Sequence, residues 1–113
     1  MTARLAAHVW VNALIRRVNA AGGFATVIAK GDREAGGVLL LLVSHDCPTQ
    51  VMQRVTGRDG GFVWQQTAVI ARDDPSGLQD YLDRQRRYDS DLWIVELDIP
   101  DAERFIAEPA IGG

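Results

Sequence analysis

The residues best suited to chemistry in this sequence are arginines. Arg84, Arg86 and Arg87 crowd into residues 84–87, and Arg16 and Arg17 adjoin near the start of the chain. A guanidinium fork matches carboxylate and phosphate geometry, so a pocket gathering Arg84, Arg87 and Arg16 would hold an anionic ligand or an acidic partner. On a helix Arg84 and Arg87 face the same way, whereas Arg86 points well away. Asp80, Asp83, Asp89 and Asp91 lie close enough to neutralise the group, and a solvated, salt-bridged face is the competing reading. Glu96 lies within Leu92-Trp93-Ile94-Val95-Glu96-Leu97, on the strand face of Leu92 and Ile94. A carboxylate there faces solvent, pairs with an arginine such as Arg84 or Arg17, or joins Arg84 and Arg87 around a ligand as a general base.

Other motifs carry less. Ser44-His45-Asp46-Cys47 holds a thiol, an imidazole and a carboxylate, but Pro48 ends the strand and catalytic pairs are usually distant in sequence. The same window has too few ligands for zinc, and His8 is the only other histidine. Gly31-Asp32-Arg33-Glu34-Ala35-Gly36-Gly37 lacks the Lys-Ser/Thr ending of a phosphate loop and leads into a strand. It and Gly57-Arg58-Asp59-Gly60-Gly61 read as hairpin turns. The element order is similar to that of acyl-CoA acetyltransferases. Their Gly-rich pyrophosphate motif is missing at Ala71-Arg72-Asp73-Asp74-Pro75-Ser76-Gly77, where Pro75 also removes an amide donor. No catalytic residue, metal or cofactor is therefore expected.

These residues must be positioned by one core. The chain has 113 residues, 47% apolar and 24% charged, with a formal net charge of −3. At this length about two-thirds of the surface can be buried, enough for one domain and no more. The acidic balance argues against general nucleic-acid binding, which relies on neutralising phosphates. One cysteine rules out an internal disulfide, and no apolar run approaches the roughly 20 residues needed to span a bilayer. The expectation is a cytoplasmic protein.

Ala7, Trp10, Val11, Leu14, Val18 and Ala21 share one face of an N-terminal helix, with Thr2 as the expected cap and Gly22-Gly23 as the stop. Strands follow at 24–30, 38–43, 50–55 and 62–70. Val38 to Val43 is continuously apolar and expected to be buried on both faces. In the fourth strand Phe62, Trp64 and Ala68 are expected on one side, with Val63 and Val69 on the other. Asp74 caps a second helix with Pro75 at its first position, and Leu78, Tyr81, Leu82 and Gln85 form its buried stripe. It should end near Tyr88. A fifth strand at 92–97 and a short turn at 101–107 complete the chain. The glycine turns imply an antiparallel meander of the first four strands, with the fifth parallel to the fourth or beyond it. Helices packed on one sheet face make the fold α+β. Trp10, Trp64 and Trp93 are expected in the core, each indole N–H partnered where buried.

At Val9-Trp10-Val11-Asn12-Ala13-Leu14-Ile15-Arg16-Arg17, Ala21-Gly22-Gly23-Phe24 and above all Tyr81-Leu82-Asp83-Arg84-Gln85-Arg86-Arg87-Tyr88-Asp89-Ser90-Asp91-Leu92-Trp93, the chain resembles an alphaproteobacterial family called domain of unknown function 1491. The resemblance runs from about Arg4 to Phe105; such sequences often carry Pro where this chain has Ser90. It implies a bacterial intracellular protein of one domain and carries over no catalytic residue. The reading of the sequence is a non-enzymatic binding or interaction module, self-associating as a homodimer or docking on another protein. Its alternative is a small-molecule binding protein or enzyme for an anionic ligand, using Arg84, Arg87, Glu96 and Arg16.

Overall fold

The computed structural model describes residues 6–44, 47–56 and 62–107. In chain order these form α1 (Ala7–Ala20), β1 (Phe24–Ala29), β2 (Val38–Val43), β3 (Thr49–Thr56), β4 (Phe62–Ile70), α2 (Pro75–Tyr88), β5 (Trp93–Asp98) and α3 (Glu103–Ala107). The α+β order expected from the sequence is present, and the bounds of β2 and β4 agree to the residue. The turn at Gly57 to Gly61 and Thr2 itself lie outside the described residues, and the expectation of a cap at Thr2 is corrected, since α1 starts at Ala7 with Ala6 as its N-cap.

Both long helices follow from their local chemistry. In α1, Ala7, Trp10, Val11, Leu14 and Val18 are buried, one stripe at helical spacing. Ala6 stands at its N-cap with no side-chain bond. The amides of Ala7 and His8 instead donate to the carbonyls of Glu34 (3.0 Å) and Arg33 (2.9 Å), so a distant loop satisfies donors that a capping side chain would otherwise take. Gly22 stops the helix with φ at +89°, a conformation that costs other residues a Cβ clash. In α2 the Asp74 carboxylate accepts from the Gly77 amide at 3.0 Å, with Pro75 behind it, and the helix ends at Tyr88 as expected.

The sheet order is β1-β5-β2-β3-β4. The expected four-strand meander shrinks to β2-β3-β4, all antiparallel, and β1 pairs antiparallel with β5 instead of β2. β5 runs parallel to β2, hence in the same direction as β4 but with two strands, β2 and β3, between them. The physical reason lies in the side chains. Trp93, Ile94, Val95 and Leu97 are buried on alternating faces, which suits a central strand with a helix layer over each face. β1 alternates between exposed and half-buried residues, which suits an edge.

The faces differ from expectation as well. Val38, Leu40, Leu42, Trp93, Val95 and Leu97 pack on one side against α1 and the Phe105 of α3. Leu39, Leu41, Val51, Leu92 and Ile94 pack on the other against Leu82 of α2. The helices therefore cover both faces, because two central strands apolar on both sides need a layer over each. On the α1 side Trp10 stacks at 5.6 Å and a 35° tilt on Trp64, and the Arg54 guanidinium lies 5.0 Å over the Trp10 ring.

A bulge in β4 corrects one more expectation. Val51 pairs with Ala68 and Met52 with Gln66, leaving Thr67 as the extra residue. Ala68 thus lies on the α2 side, away from Trp64, and Val69 moves to the other face. The bulge has a use. The Thr67 hydroxyl accepts from Tyr81 Oη of α2 at 3.0 Å, tying the helix to the sheet beneath it.

Candidate functional site

The loop between β1 and β2 is not the hairpin that its glycines suggest. Its strands are separated by β5, so residues 30–37 must arch over the chain entering β5. A Cβ on Gly31 or Gly36 would collide with the Asp91 carbonyl oxygen, which explains both glycines by close approach. The arch is hydrogen-bonded along its length. The Asp32 amide donates to the Asp91 carbonyl at 3.0 Å, and the Trp93 amide to the Gly37 carbonyl at 2.8 Å. The buried Trp93 indole N–H donates to the Asp32 carbonyl at 2.7 Å, the partner expected for a buried indole.

Two charged groups complete this clasp. Asp32 accepts at Oδ2 from the amides of Ala35 (2.9 Å) and Glu34 (3.1 Å), and these bonds hold its carboxyl below the ordinary range. Arg86 Nη1 donates to the carbonyls of Leu92 (2.9 Å) and Lys30 (3.1 Å), joining α2 to both the arch and the residue that leads into β5. His8 Nδ1 lies 2.9 Å from the Arg33 carbonyl and its Nε2 3.4 Å from Arg33 Nη2, a pair of contacts that fits the proton on Nδ1. Helix spacing turns Arg86 away from Arg84 and Arg87, so it stands outside the anionic site expected from the sequence. Its signal was that it sits one turn beyond Leu82, on the buried stripe.

The residues expected at an anionic site are placed apart. Arg84 and Arg87 are exposed on α2 and, with Tyr88, line a shallow depression of about 310 Å³. Arg16 is exposed on α1, and α1 and α2 lie on opposite faces of the sheet, so Arg16 does not join them. Glu96 is half-buried on β5, paired in register with Leu41 on one side and Thr26 on the other. The pairing of Glu96 with Arg17 is corrected: Arg17 donates to the Phe105 carbonyl at 3.4 Å and lies 5.6 Å over the Phe105 ring, on the other face. Asp83 accepts from Gln79 at 2.9 Å.

Two further features flank these. Phe24 is 72% exposed and Ile28 48% exposed, both on edge strand β1. By register Phe24 lies beside Asp98 and Thr26 beside Glu96, so apolar and acidic groups share one corner of the α2-side face, which α2 leaves bare. A smaller cavity of about 190 Å³ is lined by residues including Ser44, Cys47, Gln50, Asp101 and Glu103, and Cys47 is exposed. His45 and Asp46 of the Ser44–Cys47 motif lie outside the described residues. Among the described residues no His, Cys, Asp and Glu cluster is arranged to hold a metal, and no helix is long and apolar enough to cross a membrane.

Known proteins add family and fold. The DUF1491 family, described as a protein of unknown function, matches residues 5–107. A crystal structure of a DUF1491 family protein from Caulobacter crescentus CB15 is similar at 37% identity and a TM-score of 0.80, over 93% of this chain and 97% of that one. An NMR structure of a DUF1491 family protein from the same organism gives 36% identity and 0.78, over 95% and 96%. The solution structure of protein Atu0922 from A. tumefaciens gives 31% and 0.70, over 88% and 89%. No curated protein matches the chain.

Proposed function

This chain belongs to the DUF1491 family, and from its own geometry we propose that it is a single-domain, cytoplasmic, non-enzymatic interaction module. The observation that supports this is the bare corner of the α2-side face. There an aromatic side chain 72% exposed stands on an edge strand whose outer backbone is open to pairing. Glu96 and Asp98, beside Thr26 and Phe24 in the register, give this surface a charge. A binding surface of this composition, apolar with a few fixed charges, selects a partner rather than a reaction.

The test is site-specific photo-crosslinking in living cells of the source organism, with Thr26 replaced by a photoreactive phenylalanine analogue. A discrete adduct from position 26 that is not formed from exposed Asn12 on the opposite helix is the expected result. No adduct from position 26 overturns the reading.

The depression between Arg84, Arg87 and Tyr88 supports a second reading, a small anionic ligand held by the two guanidiniums. It predicts a rise in melting temperature with inorganic phosphate or nucleoside phosphates that disappears in Arg84→Ala/Arg87→Ala. Arg16 and Glu96 have no part in this site, whose lining is Arg84, Arg87 and Tyr88.

A further inference from the structure

We propose that a second copy of this chain pairs with β4 along its outer edge, two-fold and antiparallel, with Trp64 of each copy opposite Trp64 of the other. This edge lies at the far end of the sheet from the Phe24 corner, so it is a separate contact surface. The first argument is the strand itself. β4 is nine residues long and stands last in the sheet. Phe62-Val63-Trp64-Gln65-Gln66-Thr67-Ala68-Val69-Ile70 holds no charged residue and no proline, which are among the devices that keep natural edge strands apart. The helix above it does not cover the first part of this edge. α2 touches β4 at Thr67 through Tyr81 and ends near the start of β5 at Arg86, so it draws away from residues 62–66. Val63, on the face that α2 leaves, is 49% exposed.

The second argument is the direction of the backbone groups. The Val51 carbonyl of β3 accepts from the Thr67 hydroxyl at 3.5 Å, so Val51 turns its main-chain polar groups toward β4. Gln53 and Val55 follow at alternate positions, and their partners Gln65 and Val63 turn inward to meet them. A second anchor agrees. The Gly37 carbonyl accepts from the Trp93 amide, and counting by twos from there through β2 and β3 gives the same alternation. Phe62, Trp64 and Gln66 therefore point their N–H and C=O groups outward. The bulge at Thr67 ends this regular run, and the middle residue of 62–66 is Trp64. The register centred on Trp64 pairs the whole run of one copy with the whole run of the other. Phe62 then lies opposite Gln66, and each outward residue exchanges both its main-chain bonds with the partner strand. A matching strand must be extended, uncharged, equal in length to this run and alike in its alternation, and a second β4 meets all four conditions. On the α1 face the pairing also sets the two Trp64 rings side by side, which continues the Trp10–Trp64 stack across the axis.

The experiment is solution mass by light scattering across a dilution series, with disulfide trapping to fix the register. The wild-type chain is expected at twice 12.4 kDa at high concentration. Gln66→Pro removes an outward N–H and leaves the β3–β4 pairing in place, so it should weaken association roughly tenfold or more with an unchanged circular dichroism spectrum. Val63 of one copy falls opposite Gln65 of the other at a non-hydrogen-bonded position, with Cα atoms about 4.5 Å apart, within disulfide reach. Val63 of the two copies stand diagonally, about 7–8 Å apart, beyond it. In a Cys47→Ser background, Val63→Cys mixed with Gln65→Cys should therefore form a mixed disulfide at least about tenfold faster than either variant forms one alone. A wild-type chain that stays at the single mass at high concentration overturns the proposal. So does a dimer that Gln66→Pro leaves intact, or trapping no faster in the mixture than in the single variants. Trapping decides by itself should Gln66→Pro disturb the fold.

Discussion

The two faces of the sheet are built from similar strands and finished differently. On the α1 side Trp10, Val11, Leu14 and Val18 interlock with Val38, Leu40, Leu42, Trp93, Val95 and Leu97, and α3 closes the end with Phe105. On the α2 side a single buried helix residue, Leu82, meets Leu39, Leu41, Val51, Leu92 and Ile94. The first face is held by packing. The second is held at points, by Arg86 on the carbonyls of Lys30 and Leu92 and by Tyr81 on Thr67, and it leaves Phe24 in water. A sheet needs a layer over each apolar face, but that layer need not be complete where another molecule can supply the rest.

Substitutions can break or sharpen this contrast. The largest effect is expected from Leu14→Ala, which opens a cavity in the closed face and should cost about 3 kcal/mol in urea unfolding followed by circular dichroism. Leu82→Ala should cost less, about 2 kcal/mol, since the thinner layer can collapse around the gap; equal costs would erase the distinction. Arg86→Ala removes two hydrogen bonds from a charged donor, one to the part-buried Leu92 carbonyl and one to the exposed Lys30 carbonyl, and should cost about 2 kcal/mol. Amide hydrogen exchange should then rise in residues 30–37 and not in α1. Tyr81→Phe deletes the bond to the bulge and should cost about 1 kcal/mol.

A smaller effect concerns pH. Two amides hold the Asp32 carboxyl below its ordinary value of 3.8, so folding favours its charged form. Its contribution is complete above that value and is lost as the pH falls through the lowered one. Asp32→Asn should therefore flatten the melting-temperature profile on the acid side and leave its neutral limb parallel to wild type. The smallest effect is expected from Phe24→Ser, with stability unchanged within about 0.5 kcal/mol because the ring is mostly in water. A large loss there would show that the open face is closed within the chain after all.

Much of the fold was legible in order and little of it in arrangement. Asp74-Pro75 and the stripe of Leu78, Tyr81 and Leu82 announced α2, since caps and helical periodicity act over a few residues. Six consecutive apolar residues announced that β2 is covered on both sides. The glycines of 31–37 misled because the same residue serves a tight hairpin and a close crossing, and only the position of β5 tells which. The bulge at Thr67 misled because one extra residue reverses the side of everything after it. Of the candidate site, the exposure of Arg84 and Arg87 followed from helix geometry, while their separation from Arg16 depended on which face each helix covers.

The sequence by itself determined the order of the elements and most of their apolar stripes, because those depend on neighbours a few positions away. It also determined that arginine would dominate the charge of α2. Tertiary structure decided that β5 enters between β1 and β2, that the helices lie on opposite faces, and that Arg86 is the arginine bound inside. The reason is physical: strand order, facing and hydrogen-bond partnership depend on residues dozens of positions apart. Those are fixed only when every apolar face and every backbone group must be satisfied at once.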